Sequence, residues 1–428
     1  MAVDKVILGE NAIYSTDSNE TGLNNNILVC GGSGCGKTMS ISEPRLLETL
    51  NSSLVATVTK RRLVSKYAAL FRERGYDVLD LNFINPSDSN VAYDPLEYID
   101  SHADITFLAA SIVSSNPRKE KSTADPYWEE AATSLLSAEI AYTLATKDNP
   151  TFADVLELHD SIEFNEGIGP IETSLDSKFK AIAKKEPTNF AVSCWKSFRQ
   201  LPFKTAACVF GTLNTTIDSI FTPELRKMMA MEKKVDFEKL SSTKTILFVS
   251  TSAVNPTLHC FVNMFYSIMF KELFEFAESR KEGTLPIPVH VLCDDFATGS
   301  RIFNFPEYIS VFREKLISVT LLLQSESQLE SIYGQDAATT IINNCDTYVF
   351  MGCMDLKTGR SISERINMPL DEVLYMPLGK EVILRRGQRP ILTQRYNILK
   401  NEPYKKITKL YERELNDNKH CLQFEDVK

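Results

Sequence analysis

Asn26-Ile-Leu-Val-Cys30-Gly31-Gly-Ser-Gly-Cys-Gly36-Lys37-Thr38 is the stretch on which the fold turns. A short apolar run enters a glycine-rich octapeptide that matches GxxxxGK(S/T) in full, and a helical pattern continues from Thr38 to Leu50. That strand–loop–helix context is what separates a phosphate-binding loop from a chance glycine turn. Gly31, Gly32, Gly34 and Gly36, with the small Ser33 and Cys35 between them, let backbone N–H groups close on phosphate oxygens with little side chain in the way. The helix start adds the positive end of its dipole. Lys37 is expected to neutralise the β- and γ-phosphates, and the Thr38 hydroxyl to ligate a metal ion. ATP and Mg²⁺ are the cofactors this pattern predicts.

Outward from the loop, short apolar runs alternate with helical patterns. Ser53–Val58, Asp77–Leu81, Thr245–Val249, Val289–Cys293, Ser318–Leu323, Asp346–Met351 and Lys380–Leu384 join Asn26–Cys30 as expected buried parallel strands of an α/β sheet. From about Ser101 to Thr215 almost no strand signal occurs. Trp128–Tyr142, entered through Asp125-Pro126, has apolar residues at helical spacing, and Thr151–His159 and Phe190–Phe198 also look helical. The expected organisation is a mainly parallel P-loop sheet interrupted by an all-α domain. Residues 1–100 form the first part of the nucleotide-binding domain, 101–215 the all-α domain and 216–400 the second part. Residues 401–428 form a charged C-terminal tail, readable as one amphipathic helix.

A P-loop NTPase also needs acidic groups at the carboxyl edge of its sheet. Val289-His-Val-Leu-Cys-Asp294-Asp295 is an apolar strand that ends in two carboxylates. Asp294 is the expected Mg²⁺ ligand, and Asp295 the group that orients or deprotonates the attacking water. Gln324 ends the next strand and is a candidate γ-phosphate sensor. Arg313 lies eleven residues upstream on a predicted helix, where a surface salt bridge is its default explanation.

Composition narrows the field further. The 428 residues are 43% hydrophobic and 24% charged, an ordinary globular balance long enough for two domains. The net charge of −9, with Lys and Arg dispersed, argues against a broad basic face for duplex DNA and leaves room for narrow loop contacts. Nine cysteines and five histidines show no disulfide or zinc spacing, so Cys30, Cys35, Cys293 and Cys345 read as reduced core residues. No apolar run is long enough to span a membrane, and the first residues lack the apolar core of a signal peptide. A soluble cytoplasmic protein is expected.

Taken together, these residues resemble the type IV secretion coupling proteins, the TraG-like family. The resemblance begins at Ala12-Ile-Tyr, runs through Asn24-Asn-Asn-Ile-Leu-Val and the loop, and reappears at Asp125-Pro-Tyr-Trp128. It is densest from Val289 to Arg389. There Cys293-Asp-Asp-Phe-Ala-Thr-Gly is similar to the family's "DEFANIG" segment, and Gln324-Ser-Glu-Ser-Gln-Leu-Glu-Ser-Ile-Tyr-Gly334 to its "QSxxQLxxxYG" signature. Ile341-Ile-Asn-Asn-Cys-Asp346 with Met351-Gly-Cys-Met-Asp355 resembles "NCDT…LGxxD", and Arg386-Gly-Gln-Arg-Pro390 a late "RGxxP" element.

The resemblance implies a RecA-like domain with an all-α insertion and an ATPase that works as a ring, hexameric when active. It implies substrates that are DNA, a relaxase–DNA complex or protein, and channel partners at the cytoplasmic face of the inner membrane. It further implies that Arg313 reaches a neighbour's nucleotide as an arginine finger, with Arg360 and Arg386 next in line. Three departures stand out. Asp295 replaces the family's Glu, and Val58-Thr-Lys-Arg replaces its Asp-Pro-Lys-Gly. The family's N-terminal membrane helices have no counterpart, so either the chain was cut before Val3 or a membrane partner recruits a soluble member. Two other functions fit the residues: a nucleotide-gated adaptor with little hydrolysis, and a cytosolic DNA translocase of the FtsK or HerA type. For a coupling protein without its membrane helices, hydrolysis by the isolated soluble form is expected to be weak.

Overall fold

A computed structural model describes residues 4–114, 127–165, 172–252, 256–298 and 301–425. Thirteen strands occur among them: β1 (Lys5–Gly9), β2 (Ala12–Ser15), β3 (Ile27–Cys30), β4 (Ser53–Val58), β5 (Asp77–Asn82), β6 (Phe164–Asn165), β7 (Glu172–Thr173), β8 (Thr245–Ser250), β9 (Val289–Cys293), β10 (Ile317–Leu323), β11 (Thr347–Phe350), β12 (Lys380–Arg385) and β13 (Ile391–Gln394). Nine form one sheet in the order β13-β12-β11-β3-β10-β9-β4-β8-β5. All eight runs expected as strands belong to it.

Seven of these strands, from β11 across to β5, are mutually parallel. The period of two decides which face each side chain serves. Leu28, Cys30, Val55, Leu247, Val249, Leu321 and Leu323 point into one apolar core. Ile27, Val29, Leu54, Ala56, Ile246, Phe248 and Leu322 point into another on the opposite face. Burial on both faces is what makes these runs apolar throughout rather than alternating.

The expectation of a parallel strand at Lys380–Leu384 is corrected: β12 pairs antiparallel with β11, Phe350 opposite Val382 and Thr347 opposite Arg385. The intervening helices, Leu356–Ile366 and Leu370–Leu374, do not carry the chain back to the start of β11, so it re-enters from the carboxyl edge. Gly379, at φ 91, makes that turn. Arg386-Gly-Gln-Arg-Pro390 then forms the turn into β13, with Gly387 at φ 75. The sequence reading missed β13, whose four residues are largely exposed and carry no apolar run, and also the β1–β2 hairpin.

The Thr38–Leu50 helix begins irregularly. Glu43 N–H reaches five residues back to the Thr38 carbonyl, making a π-helical turn over Thr38–Ser42 before an α-helix over Glu43–Glu48. Pro44 has no N–H to continue the regular ladder, which accounts for the wider turn.

Among the described residues from His102 to Ser242, helices follow one another with no main-sheet strand and only the two-residue pair β6–β7. The helix Phe203–Ile220 runs straight through residue 215, and the sheet resumes at Thr245. The expected helix Trp128–Tyr142 is observed as Tyr127–Thr146, and Asp125-Pro126, read as its entry, lies outside the described residues. Asp94 joins the two parts: buried at the sheet side, it accepts Leu96 N–H at 2.9 Å and Phe152 N–H at 3.1 Å. The tail forms the helix Glu402–Glu425, whose Tyr404 and Ile407 pack into the second core and whose Tyr404 ring lies 3.6 Å from Lys66 Nζ.

Candidate nucleotide site

The phosphate loop is tied to both neighbouring strand ends. Gly31 N–H donates to Leu323 O at 3.1 Å, at the end of β10, and Gly32 N–H donates to Gly352 O at 2.8 Å, just past β11. A Cβ on Gly31 would lie 2.6 Å from Cys35 Sγ and 2.9 Å from Met351 Cβ, so only glycine permits this closeness. Gly34 and Gly36 adopt φ 74 and 90, which L side chains resist. Ser33 and Gly34 form the exposed crest, and Cys35 is buried beneath it. Lys37 curls into the loop, its Nζ donating to Gly31 O at 2.5 Å and Gly32 O at 3.3 Å. Thr38 sits half-buried at the head of the following helical turn.

The acidic pair arrives from one strand further along. Cys293 is level with Leu321, and Leu321 with Leu28, so Asp294 comes level with the end of the P-loop strand. With β10 lying between, the pair faces the loop across the width of one strand. Burial pushes the Asp294 carboxyl up to about 6; Asp295 adds to this, while Lys37 and Lys60 oppose it. Asp295 sits at φ 55 in a turn pinned by Phe296 N–H donating to Leu322 O at 3.0 Å. Asp is among the few side chains that enter this left-handed region readily. Phe296 anchors the turn from below, its ring 5.1 Å from Phe305 and 5.8 Å from Tyr333.

Gln324 is the third participant. It follows the Leu323 carbonyl that binds Gly31, its own carbonyl accepts from Cys30 Sγ at 3.8 Å, and its side chain is exposed beside the loop. The carboxyl edge therefore brings together the loop Gly31–Thr38, Asp294, Asp295 and Gln324. It does not bring Arg313 to them. Arg313 is four residues before the start of β10, and β10 leads away toward Gln324 for seven residues, or roughly 20 Å at strand rise. Arg313 is exposed and has no ion-pair partner among the described residues. Arg386 pairs with Asp346 at 3.1 Å, whereas Arg360 is exposed.

The residues fit a nucleotide with its metal. A glycine cradle that tolerates no Cβ at Gly31 and a lysine inside it suit a phosphate chain. Thr38 and Asp294 offer hard oxygen donors, the kind Mg²⁺ takes alongside phosphate and water. Among the described residues no cluster of three or more His, Cys, Asp or Glu could hold a metal by itself.

Three further residues neighbour the site: Arg395 and His259 carried no motif to find them by, and Lys60 lies in the segment set against the family's Asp-Pro-Lys-Gly. Arg395, at the end of β13, donates from its two terminal nitrogens to Cys35 O and, at 2.7 Å, to Met351 O. Lys60, in the divergent Val58-Thr-Lys-Arg loop, bears on Asp294, while Arg61 beside it is held by Asp80 at 2.6 and 2.7 Å. His259 is buried with an unpartnered Nε2; burial holds it below the usual imidazole range, and Asp295 partly offsets this. The cysteines read as core, Cys30, Cys35, Cys293 and Cys345, are all buried free thiols. No helix among the described residues is long and apolar enough to cross a membrane.

Solved structures with this architecture include the bacterial conjugative coupling protein TrwBdeltaN70 in complex with sulphate, at a TM-score of 0.66 and 15% identity over 87% of this chain and 85% of that one. TrwB in complex with the non-hydrolysable ATP analogue ADPNP aligns at a TM-score of 0.65 and 16% identity, and TrwB in complex with ADP and Mg²⁺ at 0.66 and 16%, each over 87% of this chain and 85% of that one. VirB4 of Thermoanaerobacter pseudethanolicus aligns at 0.53 and 12% identity, over 93% of this chain and 97% of that one. Identities this low speak to the fold, a RecA-like P-loop domain with a helical domain. No curated protein matches in sequence. Residues 2–368, most of the chain, match the family described as Type IV secretory system Conjugative DNA transfer, and the protein belongs to that family.

Proposed function

We propose that this protein is an ATP-driven coupling motor that recruits DNA, alone or with its bound relaxase, and feeds it to a type IV secretion channel. The observation that carries the reading is the convergence at one sheet edge of the Lys37 loop, the Asp294–Asp295 turn and Gln324. Family membership supplies the DNA-transfer context, and TrwB's complexes with ADPNP and with ADP and Mg²⁺ support ATP and Mg²⁺ as the ligands here.

In this reading the loop N–H groups beyond Gly32 bind the phosphate chain, those of Gly31 and Gly32 being held by the neighbouring strand ends, and Lys37 moves from the loop carbonyls to the β- and γ-phosphates. Thr38 and Asp294 hold Mg²⁺, which neutralises the phosphate charge. Asp295 accepts the proton of the attacking water, and Gln324 orients that water. Arg313 acts on a neighbouring subunit's nucleotide, since its place at the far end of β10 keeps it from its own. The helical unit, which we assign to residues 101–242 in place of 101–215, is the substrate-facing part. A ring at the cytoplasmic face of the membrane completes the assembly.

Steady-state ATP hydrolysis, measured with and without single- and double-stranded DNA and alongside particle mass, tests the proposal. DNA-stimulated turnover that rises with assembly and vanishes in Lys37→Ala is expected. Turnover indifferent to Lys37 would remove the loop from the mechanism.

A further inference from the structure

The outer side of the phosphate loop carries an arrangement that the reading above leaves unused. A loop whose N–H groups converge inward on an anion turns its carbonyls outward, and these need donors of their own. Lys37 serves Gly31 O and Gly32 O, and Arg395 serves Cys35 O. Its guanidinium bridges Cys35 O, in the loop, and Met351 O, at the end of the adjacent strand β11, with the second contact at 2.7 Å. A Cβ on Gly36 would lie 3.9 Å from the same guanidinium. Arg395 is itself held in place, its N–H donating to Gly379 O at 2.8 Å.

Behind it lies Glu381, fully buried on β12, with both carboxyl oxygens lacking a hydrogen-bond partner. Burial pushes this carboxyl up to about 8, and Arg395 is the charge that opposes the rise. A buried carboxylate without a hydrogen bond is costly; kept protonated, Glu381 does not draw the guanidinium of Arg395 away from the two carbonyls it bridges.

The same arginine borders a cavity of about 540 Å³ that starts at Gly36, Met39 and Ser40 and continues to Glu10 and Tyr396. In a P-loop site the phosphate chain enters at the glycines, so a cavity beside the first helical turn is where the nucleoside half continues.

We propose that Arg395 is a positioning residue of the nucleotide site, which ties Cys35 O to Met351 O so that the loop N–H groups face the phosphate chain, and which walls the nucleoside end of the cavity. The inference rests on the nucleotide-binding reading of the loop. Lysine is a poorer replacement, because its single ammonium lacks the rigid planar fork with which the two terminal nitrogens of Arg395 reach both carbonyls.

Equilibrium binding separates the possibilities. Wild type, Arg395→Ala, Arg395→Lys and Lys37→Ala are titrated with Mg·ATP and with inorganic tripolyphosphate, and the melting temperature of each ligand-free variant is recorded. Arg395→Ala is expected to weaken ATP and tripolyphosphate together by about tenfold or more, the loss of one charge-assisted contact pair. Arg395→Lys should keep the wild-type melting temperature and still bind both ligands several-fold more weakly. A loss for ATP with tripolyphosphate binding intact overturns the loop-positioning role, leaving Arg395 a nucleoside contact. Unchanged affinity for both in Arg395→Lys, or in a folded Arg395→Ala, overturns the proposal. Should Arg395→Ala fail to fold, the lysine variant decides alone. Lys37→Ala keeping wild-type affinity for both ligands would instead sink the nucleotide reading, an outcome distinct from any of these.

Discussion

Asp295 and Glu381 show how single side chains are set by the backbone and the burial around them. The turn that presents Asp295 runs at φ 55, a conformation open to Asp and strained for longer side chains. We expect Asp295→Ala to lower turnover by roughly 10²–10⁴-fold, the usual worth of a positioned base. Asp295→Glu should keep turnover within a few-fold while lowering the melting temperature, because the left-handed backbone suits Glu less well. Wild-type turnover in Asp295→Ala would show that another group activates the water.

Glu381 makes a pH prediction. Its folded-state carboxyl holds a proton up to about 8, against 4.5 for an ordinary glutamate, so the native state binds more protons than the unfolded chain across that interval. Stability is therefore full below the ordinary range and declines as pH rises toward 8. Arg395 is the charged group facing it; Gly9 and Thr393, packed against it from β1 and β13, are uncharged. Glu381→Gln should flatten the decline and be at least as stable as wild type at pH 8, read from melting temperatures between pH 5 and 9. An unaltered slope would assign the decline to other groups.

The β1–β2 hairpin earns its place through Asp4, which precedes it. The buried Asp4 carboxylate accepts Leu50 N–H at 2.9 Å, Asn51 N–H at 2.8 Å and Ser52 N–H at 3.1 Å, closing the loop between the helix Glu43–Glu48 and β4. These N–H groups belong to the connection between helix and strand, where neither ladder supplies them an acceptor. Asp4→Ala strands them and should destabilise the fold by about 1–3 kcal/mol without altering nucleotide affinity. A denaturation midpoint equal to wild type would mean that water replaces the carboxylate. The helix Glu402–Glu425 acts similarly on the same face, where Lys66 is clasped between Glu43 Oε2, 3.0 Å away, and the Tyr404 ring.

Across the assembled molecule the deciding residue is Arg313. Its distance from the Lys37 loop within one chain, and its lack of an ion-pair partner among the described residues, agree with the proposed role in a neighbour's site. Arg313→Ala should leave ATP binding unchanged and reduce the turnover of assembled protein by up to ~10³-fold or more. Mixing Arg313→Ala with Lys37→Ala subunits should restore activity, with a dependence on total protein concentration, because some interfaces then pair an intact loop with an intact arginine. Turnover by Arg313→Ala equal to that of wild type under assembling conditions would leave Arg313 a surface cation.

Much of this was legible in the chain itself. The loop Gly31–Thr38, the eight sheet strands and the Asp294, Asp295 and Gln324 positions could be read because each depends on local rules: glycine where the backbone must approach an anion, apolar runs where both sheet faces are buried, polar residues where strands end. The direction of β12 could not, since Lys380–Arg385 reads the same in either sense and only the path of the preceding helices sets it. Nor could Arg395, Glu381 or His259. Arg395 lies 360 residues along the chain from the Cys35 carbonyl it braces, and nothing local in either segment announces the other. Sequence determined the chemistry available at each strand end. Tertiary structure decided which distant charges lean on it, because buried electrostatics depends on what the fold brings within a few ångströms and excludes from water.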